Sequence, residues 1–132
     1  MRDLHNNIKT TTGLAPAAIT TNTTTVGATV DRQGFESCEF AVQSGVVTDG
    51  SYAVQVFAGD AANMSDEAQA AAADLIGTEP TVISTEDAAV EKVGYKGGKR
   101  YVRIKVVSTG VTTGALLAAL AILGNARNAP VA

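Results

Sequence analysis

Gly94-Tyr95-Lys96-Gly97-Gly98-Lys99-Arg100-Tyr101-Val102-Arg103-Ile104-Lys105-Val106-Val107 is the stretch that decides the fold. From residue 101 onward, Val102, Ile104 and Val106 point one way and Tyr101, Arg103 and Lys105 the other. A period of two is the signature of a β-strand with one buried face. Gly97-Gly98 reads as a tight hairpin turn, because glycine adopts the positive φ that such turns demand. The outward face is then a basic stripe on a chain whose formal net charge is −3. That asymmetry points to a surface that meets an acidic partner.

Composition agrees with an all-β domain. A chain of 132 residues forms one domain and buries roughly two-thirds of the surface its unfolded form exposes. Charged residues are 17% and aromatic residues 5%; Gly, Thr, Ala and Val dominate, which favours short strands and frequent turns over long helices. The acidic balance argues against nucleic acid, which requires a basic excess. One cysteine, Cys38, excludes an internal disulfide, and no zinc spacing is present. Polar residues follow Met1-Arg2-Asp3-Leu4-His5, so no secretory leader is expected.

The apolar run Ala115 to Leu123 is nine residues long, about half of a membrane span. Its Ala and Leu content suits a short core helix. The Gly114 and Gly124 brackets and the β surroundings suit a central strand buried on both faces, which is the reading adopted.

Upstream, residues 1–12 read as a polar N-terminal arm whose sizeable hydrophobes after Met1 are Leu4 and Ile8. These share a face if the arm is helical; an extended arm lying across a neighbour suits them equally. Ala17-Ala18-Ile19 is a first strand, Thr20 to Thr25 a turn, and Val26 to Asp31 a short strand. Phe35 to Gln43 alternates, with Cys38, Phe40 and Val42 inward and Ser37, Glu39 and Gln43 outward. Asp49-Gly50 is a hairpin signal ahead of a strand from Tyr52 to Phe57. Ala58 to Asp87 is irregular. Within it Ser65-Asp66-Glu67 resembles a helix start, Gln69 to Asp74 forms a turn or two, and Leu75-Ile76-Gly77 and Thr81-Val82-Ile83 are short edge strands. Residues 125–132 form a tail. Seven to nine strands with frequent turns predict an antiparallel β-sandwich or jelly roll over residues 13–124.

Catalytic chemistry finds little material. His5 is the single histidine and sits in the arm, which removes the usual acid–base and metal-binding residue. Cys38 lies mid-strand on the core side and reads as a small buried hydrophobe. Gly94-x-x-Gly97-Gly98-Lys99 lacks the spacing and following helix of a phosphate loop. Asp60, Asp66, Glu67 and Asp74 lack the ligand period of a calcium loop and read as a solvated acidic segment. Three Tyr, three Phe and no Trp leave thin material for the aromatic platforms of a sugar-binding module.

Several stretches together resemble a family of small structural proteins encoded in the head-gene region of tailed bacteriophages and their prophages. They are Arg2-Asp3-Leu4-His5-Asn6-Asn7-Ile8, Asp31-Arg32-Gln33-Gly34-Phe35-Glu36-Ser37, Thr48-Asp49-Gly50, Ala73-Asp74-Leu75-Ile76-Gly77-Thr78, Gly94 to Arg103, and Leu123-Gly124-Asn125-Ala126-Arg127. The resemblance implies a virion protein similar to the jelly-roll cement (decoration) proteins on the outer capsid surface, made in the host bacterial cytoplasm. The alternative is another virion component of the tail, fibre base or head–tail joint. Expected partners are the major capsid protein and further copies of the chain, as a homodimer or homotrimer. Neither nucleic acid, membrane, cofactor, metal nor catalysis is expected. Expected capsid contacts are Leu4, Ile8, Lys96, Lys99, Arg100 and Arg103.

Overall fold

The computed structural model describes residues 2–131; Met1 and Ala132, at the outer limits of the expected arm and tail, lie outside the described residues. The long strands are β1 (Ile8–Ile19), β4 (Phe35–Val47), β5 (Ser51–Gly59), β9 (Val90–Tyr95), β10 (Tyr101–Thr109) and β11 (Ala115–Ala126). Short strands β2 (Thr24–Val26), β3 (Val30–Asp31), β6 (Ala68–Gln69), β7 (Leu75–Ile76) and β8 (Thr81–Ile83) complete the set.

Their pairing is nested. β1 lies antiparallel to β11, β2 and β3 to β10, β4 to β9, and β5 to β6 and β8. The chain is one long ribbon folded back on itself, then rolled so that β11 also meets β4 and β10 meets β5. Two antiparallel sheets result, in the orders β1-β11-β4-β9-β7 and β2-β10-β5-β6, with β3 and β8 beside β10 and β5.

Period-two patterning supplies the core between the sheets. Cys38, Phe40 and Val42 of β4, and Val102, Ile104 and Val106 of β10, are each at most 4% exposed. Tyr52, Val54 and Val56 of β5 join them, as do Val93 and Tyr95 of β9. Burying each such side chain contributes about 1.5–3 kcal/mol.

Several expectations are corrected. Gly97-Gly98 is a corner and not a hairpin: β9 belongs to the first sheet and β10 to the second. Gly97 is needed there for space, because a Cβ would stand 2.4 Å from the Tyr95 hydroxyl oxygen. Residues 115–123 are strand, but not buried on both faces: Leu117 is 2% exposed, whereas Leu116 is 51% and Leu120 44%. Part of the expected arm is sheet, since Ile8 to Thr12 pair with Gly124 to Leu120. Among the described residues, 2–7 precede the first strand. They are folded locally, with the Asn6 amide donating to Asp3 Oδ1 and the Asn7 amide to the Leu4 carbonyl. Pro16 sits within β1, an edge strand, where a missing N–H costs no ladder bond.

The expected helix at Ser65-Asp66-Glu67 does not form. The Asp66 carboxylate instead accepts the backbone amides of Asp60 and Ala61, at 2.9 and 3.1 Å, while Ala72–Asp74 makes a single 3-10 turn. Among the described residues no helix is long and apolar enough to cross a membrane.

Candidate docking end and outer face

The ladder registers bring distant segments to one end of the sandwich. Ile8 faces Gly124, Ala126 faces Phe35, Tyr95 faces Cys38 and Leu75, and Tyr101 faces Asp31 and Gly59. Residues 2–8, 30–36, 95–101 and 124–131 therefore crowd together. Leu4, Ile8, Lys96, Lys99 and Arg100 all fall in this region. Arg103 stands farther along β10, on the outer side of the second sheet.

Leu4 is 55% exposed and shares a shallow hollow with Ile8, His5 and Val131. The C-terminal segment ties this corner down through the Val131 amide, which donates to the Asn6 carbonyl at 2.8 Å.

The basic side chains are mostly neutralised within the chain. Lys99 Nζ lies 2.8 Å from Asp60. Arg100 donates bidentately to Asp31, two bonds of 2.9 Å, and to Gln33 Oε1 at 2.7 Å. The Arg100 guanidinium holds the Asp31 carboxyl below its ordinary range. Arg103 Nε donates to Glu67 at 2.7 Å, and Lys105 Nζ donates to the other oxygen of the same carboxylate.

The expected exposed stripe is thus corrected. The Arg103 and Lys105 side chains are only 19% and 18% exposed, because the loop carrying Glu67 folds over them. Lys105 also lies 4.2 Å from the Phe57 ring centre. Lys96 is exposed and makes no ion pair among the described residues.

Arg32 and Arg127 escaped the sequence reading of this end. Both stood in quoted stretches, but as turn and strand-start residues. Arg127 donates to Glu36 at 3.0 Å. Arg32 is 8% exposed, donates to the carbonyls of Gly97 (3.0 Å) and Lys99, and stacks 4.8 Å from the Tyr95 ring centre. The available signal was Gly34, whose φ of +90° marks a bent segment flanked by charges.

A second surface lies on the outward side of the first sheet. Leu116, Leu120 and Val90 are exposed there beside the small residues Ala41 and Ala118, with Pro16 at the rim. The two outer faces differ in cover: Glu67 of the 60–88 segment lies over part of the second sheet, on Arg103 and Lys105, while β8 of the same segment continues that sheet beside β5. Among the described residues no segment lies across the apolar side of β11.

Comparison with protein-family models and with curated proteins finds no match. Among solved structures, the chain is similar to the crystal structure of the SPBc2 prophage-derived protein YomS, with a TM-score of 0.53 and 15% identity over 88% of this chain and 93% of that one. At this identity the likeness is one of fold alone, and it extends over nearly the whole length of both chains.

Proposed function

We propose that the chain is a tailed-phage capsid cement (decoration) protein that binds the outer surface of the head and stabilises it. The observation that carries this reading is that one β-sandwich has two separate exposed surfaces suited to contact. One end gathers apolar anchors and basic groups, and the outward side of the first sheet is apolar. A bridging protein needs two such surfaces: one for the shell, here the major capsid protein, and one for another copy of itself as a dimer or trimer. Many weak contacts then add through avidity.

The nested ribbon supports a jelly-roll assignment, since its two strand orders are those of a rolled antiparallel double hairpin. The prophage origin of the similar fold agrees with the resemblance carried by the end-forming stretches. The role is structural, without catalysis or cofactor, on the virion surface after synthesis in the host cytoplasm. The contacts assigned to the capsid are Leu4, Ile8, Lys96, Lys99, Arg100 and Arg103.

Decoration of bare particles tests the proposal. Deleting residues 2–7 stops short of β1, so the domain should still fold while bound copies fall several-fold. Reversing Lys99 and Arg100 to Glu should lower occupancy in a salt-dependent manner. Wild-type occupancy by both variants would refute docking through this end. Immunolabel confined to the tail or the neck would favour the alternative role in the tail, fibre base or head–tail joint.

A further inference from the structure

The crowded end contains a cavity of about 280 Å³, lined by Arg32, Gly98, Lys99, Arg100 and Arg127 together with Glu36. Three stretches far apart in sequence build it, namely the turn after β3, the corner between β9 and β10, and the end of β11.

Its charges do not balance. Lys99 is paired with Asp60, Arg100 with Asp31 and Arg127 with Glu36. Arg32 has no carboxylate partner among the described residues, and its Nε is buried with no hydrogen-bond partner there. Arg32 as a residue is 8% exposed, so its guanidinium has lost most of its hydration. Buried charges are ordinarily matched by an opposite charge, whereas Arg32 has backbone carbonyls and the face of Tyr95. Of the four cations that line the cavity, three are ion-paired and Arg32 is the one without a carboxylate among the described residues.

We propose that this cavity binds one carboxylate, supplied by an Asp or Glu side chain or a C-terminus on a protein segment of the docking partner. One unpaired cation matches a monoanion, and a second anionic charge would meet only cations that already hold a carboxylate. Planar pairing with a guanidinium also favours a carboxylate. The inference rests on the docking reading only for where the carboxylate comes from. It explains why the basic residues of this end are largely paired already: their ion pairs fix the walls, and Arg32 is left for the ligand.

Gly98 provides a blocking variant. A Cβ added there meets nothing within 4 Å, so Gly98→Glu is sterically tolerated and places a tethered carboxylate at the rim. Glu36→Gln removes a competing carboxylate instead. The assay follows the arginine Nε–H resonances of the intact protein by NMR during titration with the blocked peptide acetyl-Gly-Asp-Gly-amide. The same peptide with Asn and inorganic phosphate are the comparison ligands.

The expected result is a saturable shift of the Arg32 Nε–H with the Asp peptide in the millimolar range, as suits one ion pair. The Asn peptide should give none. Glu36→Gln should bind at least about threefold tighter, and Gly98→Glu at least about tenfold weaker. No saturable shift, or an equal response to the Asn peptide, would overturn the proposal. Phosphate binding more tightly than the Asp peptide would overturn the carboxylate assignment. If Gly98→Glu does not fold, an unchanged affinity in Glu36→Gln would still overturn it. No particles are used, so failure here is distinct from failure of the decoration assay.

Discussion

Truncating Leu117 to Ala and, separately, Leu116 to Ala applies one chemical change to opposite faces of β11. Leu117 is 2% exposed and Leu116 51%. Removing a buried leucine side chain costs about 2–5 kcal/mol, the lost transfer energy plus the cavity left behind. At Leu116 roughly half of the same hydrocarbon is already in water and solvent fills the space, so about 1 kcal/mol is at stake. With a urea slope of about 1–3 kcal/mol per molar, Leu117→Ala should lower the unfolding midpoint by about 1–2 M and Leu116→Ala by about 0.5 M. The measurement is urea unfolding followed by circular dichroism at low micromolar protein. Repeating it at higher concentration separates the faces further. If the outer face joins two copies, association adds stability by mass action, and the Leu116→Ala penalty grows with concentration while the Leu117→Ala penalty does not. Equal penalties in dilute solution, or a larger one at Leu116, would refute the register, because a slip of one residue exchanges the two faces.

Two further outcomes follow from single side chains. Glu67 is held below the ordinary carboxylate range chiefly by the Arg103 hydrogen bond, with desolvation opposing and Lys105 adding to it. A depressed folded-state pKa stabilises fully above the unfolded value of about 4.3 and loses that contribution as pH falls through the folded one. Glu67→Gln should therefore cost about 1–3 kcal/mol at pH 7, and the gap to wild type should narrow below about pH 4; a pH-independent gap in urea midpoints would count against the bridge. Burial pushes the Cys38 thiol up to about 12, so a thiol reagent at pH 8 should label the urea-unfolded chain within minutes and leave the native one intact. Rapid native labelling would show that the inner face of β4 is open to solvent.

Strands with one buried face were legible because their sequence carries the burial itself. β4, β5 and β10 alternate, and their inward residues are those the alternation selects. β1 was legible only from Ala17 onward. Its first half, Ile8 to Thr12, is Thr-rich and lies on a sheet edge, where no apolar period is required, so it looked like an arm. Gly97-Gly98 announced a turn correctly, but a turn does not say which strands it joins; that depends on β4 and β5 occupying the neighbouring places.

At the docking end, the chemistry was visible and the pairing was not. Lys99, Arg100 and Arg103 could be named from residue type. Their partners Asp60, Asp31 and Glu67 lie 36 to 69 positions away, beyond any local rule. Arg32 was hidden for the same reason, since nothing beside it in sequence shows that Tyr95 and two carbonyls of the corner enclose it.

The nested ribbon also constrains how the protein comes into being. β11, made after the other ten strands of the described residues, is an interior member of its sheet, lying between β1 and β4. Until residues 115–126 emerge from the ribosome, those two strands have no common neighbour, and β4 lacks one of its two ladder partners. Closing the pair that sets Ile8 against Gly124 spans nearly the entire chain, a topology that folds in milliseconds to seconds. Any product truncated before residue 115 would leave strand edges and apolar side chains unpaired, ready substrates for proteases and chaperones. Emergence of β11 is itself the checkpoint for folding.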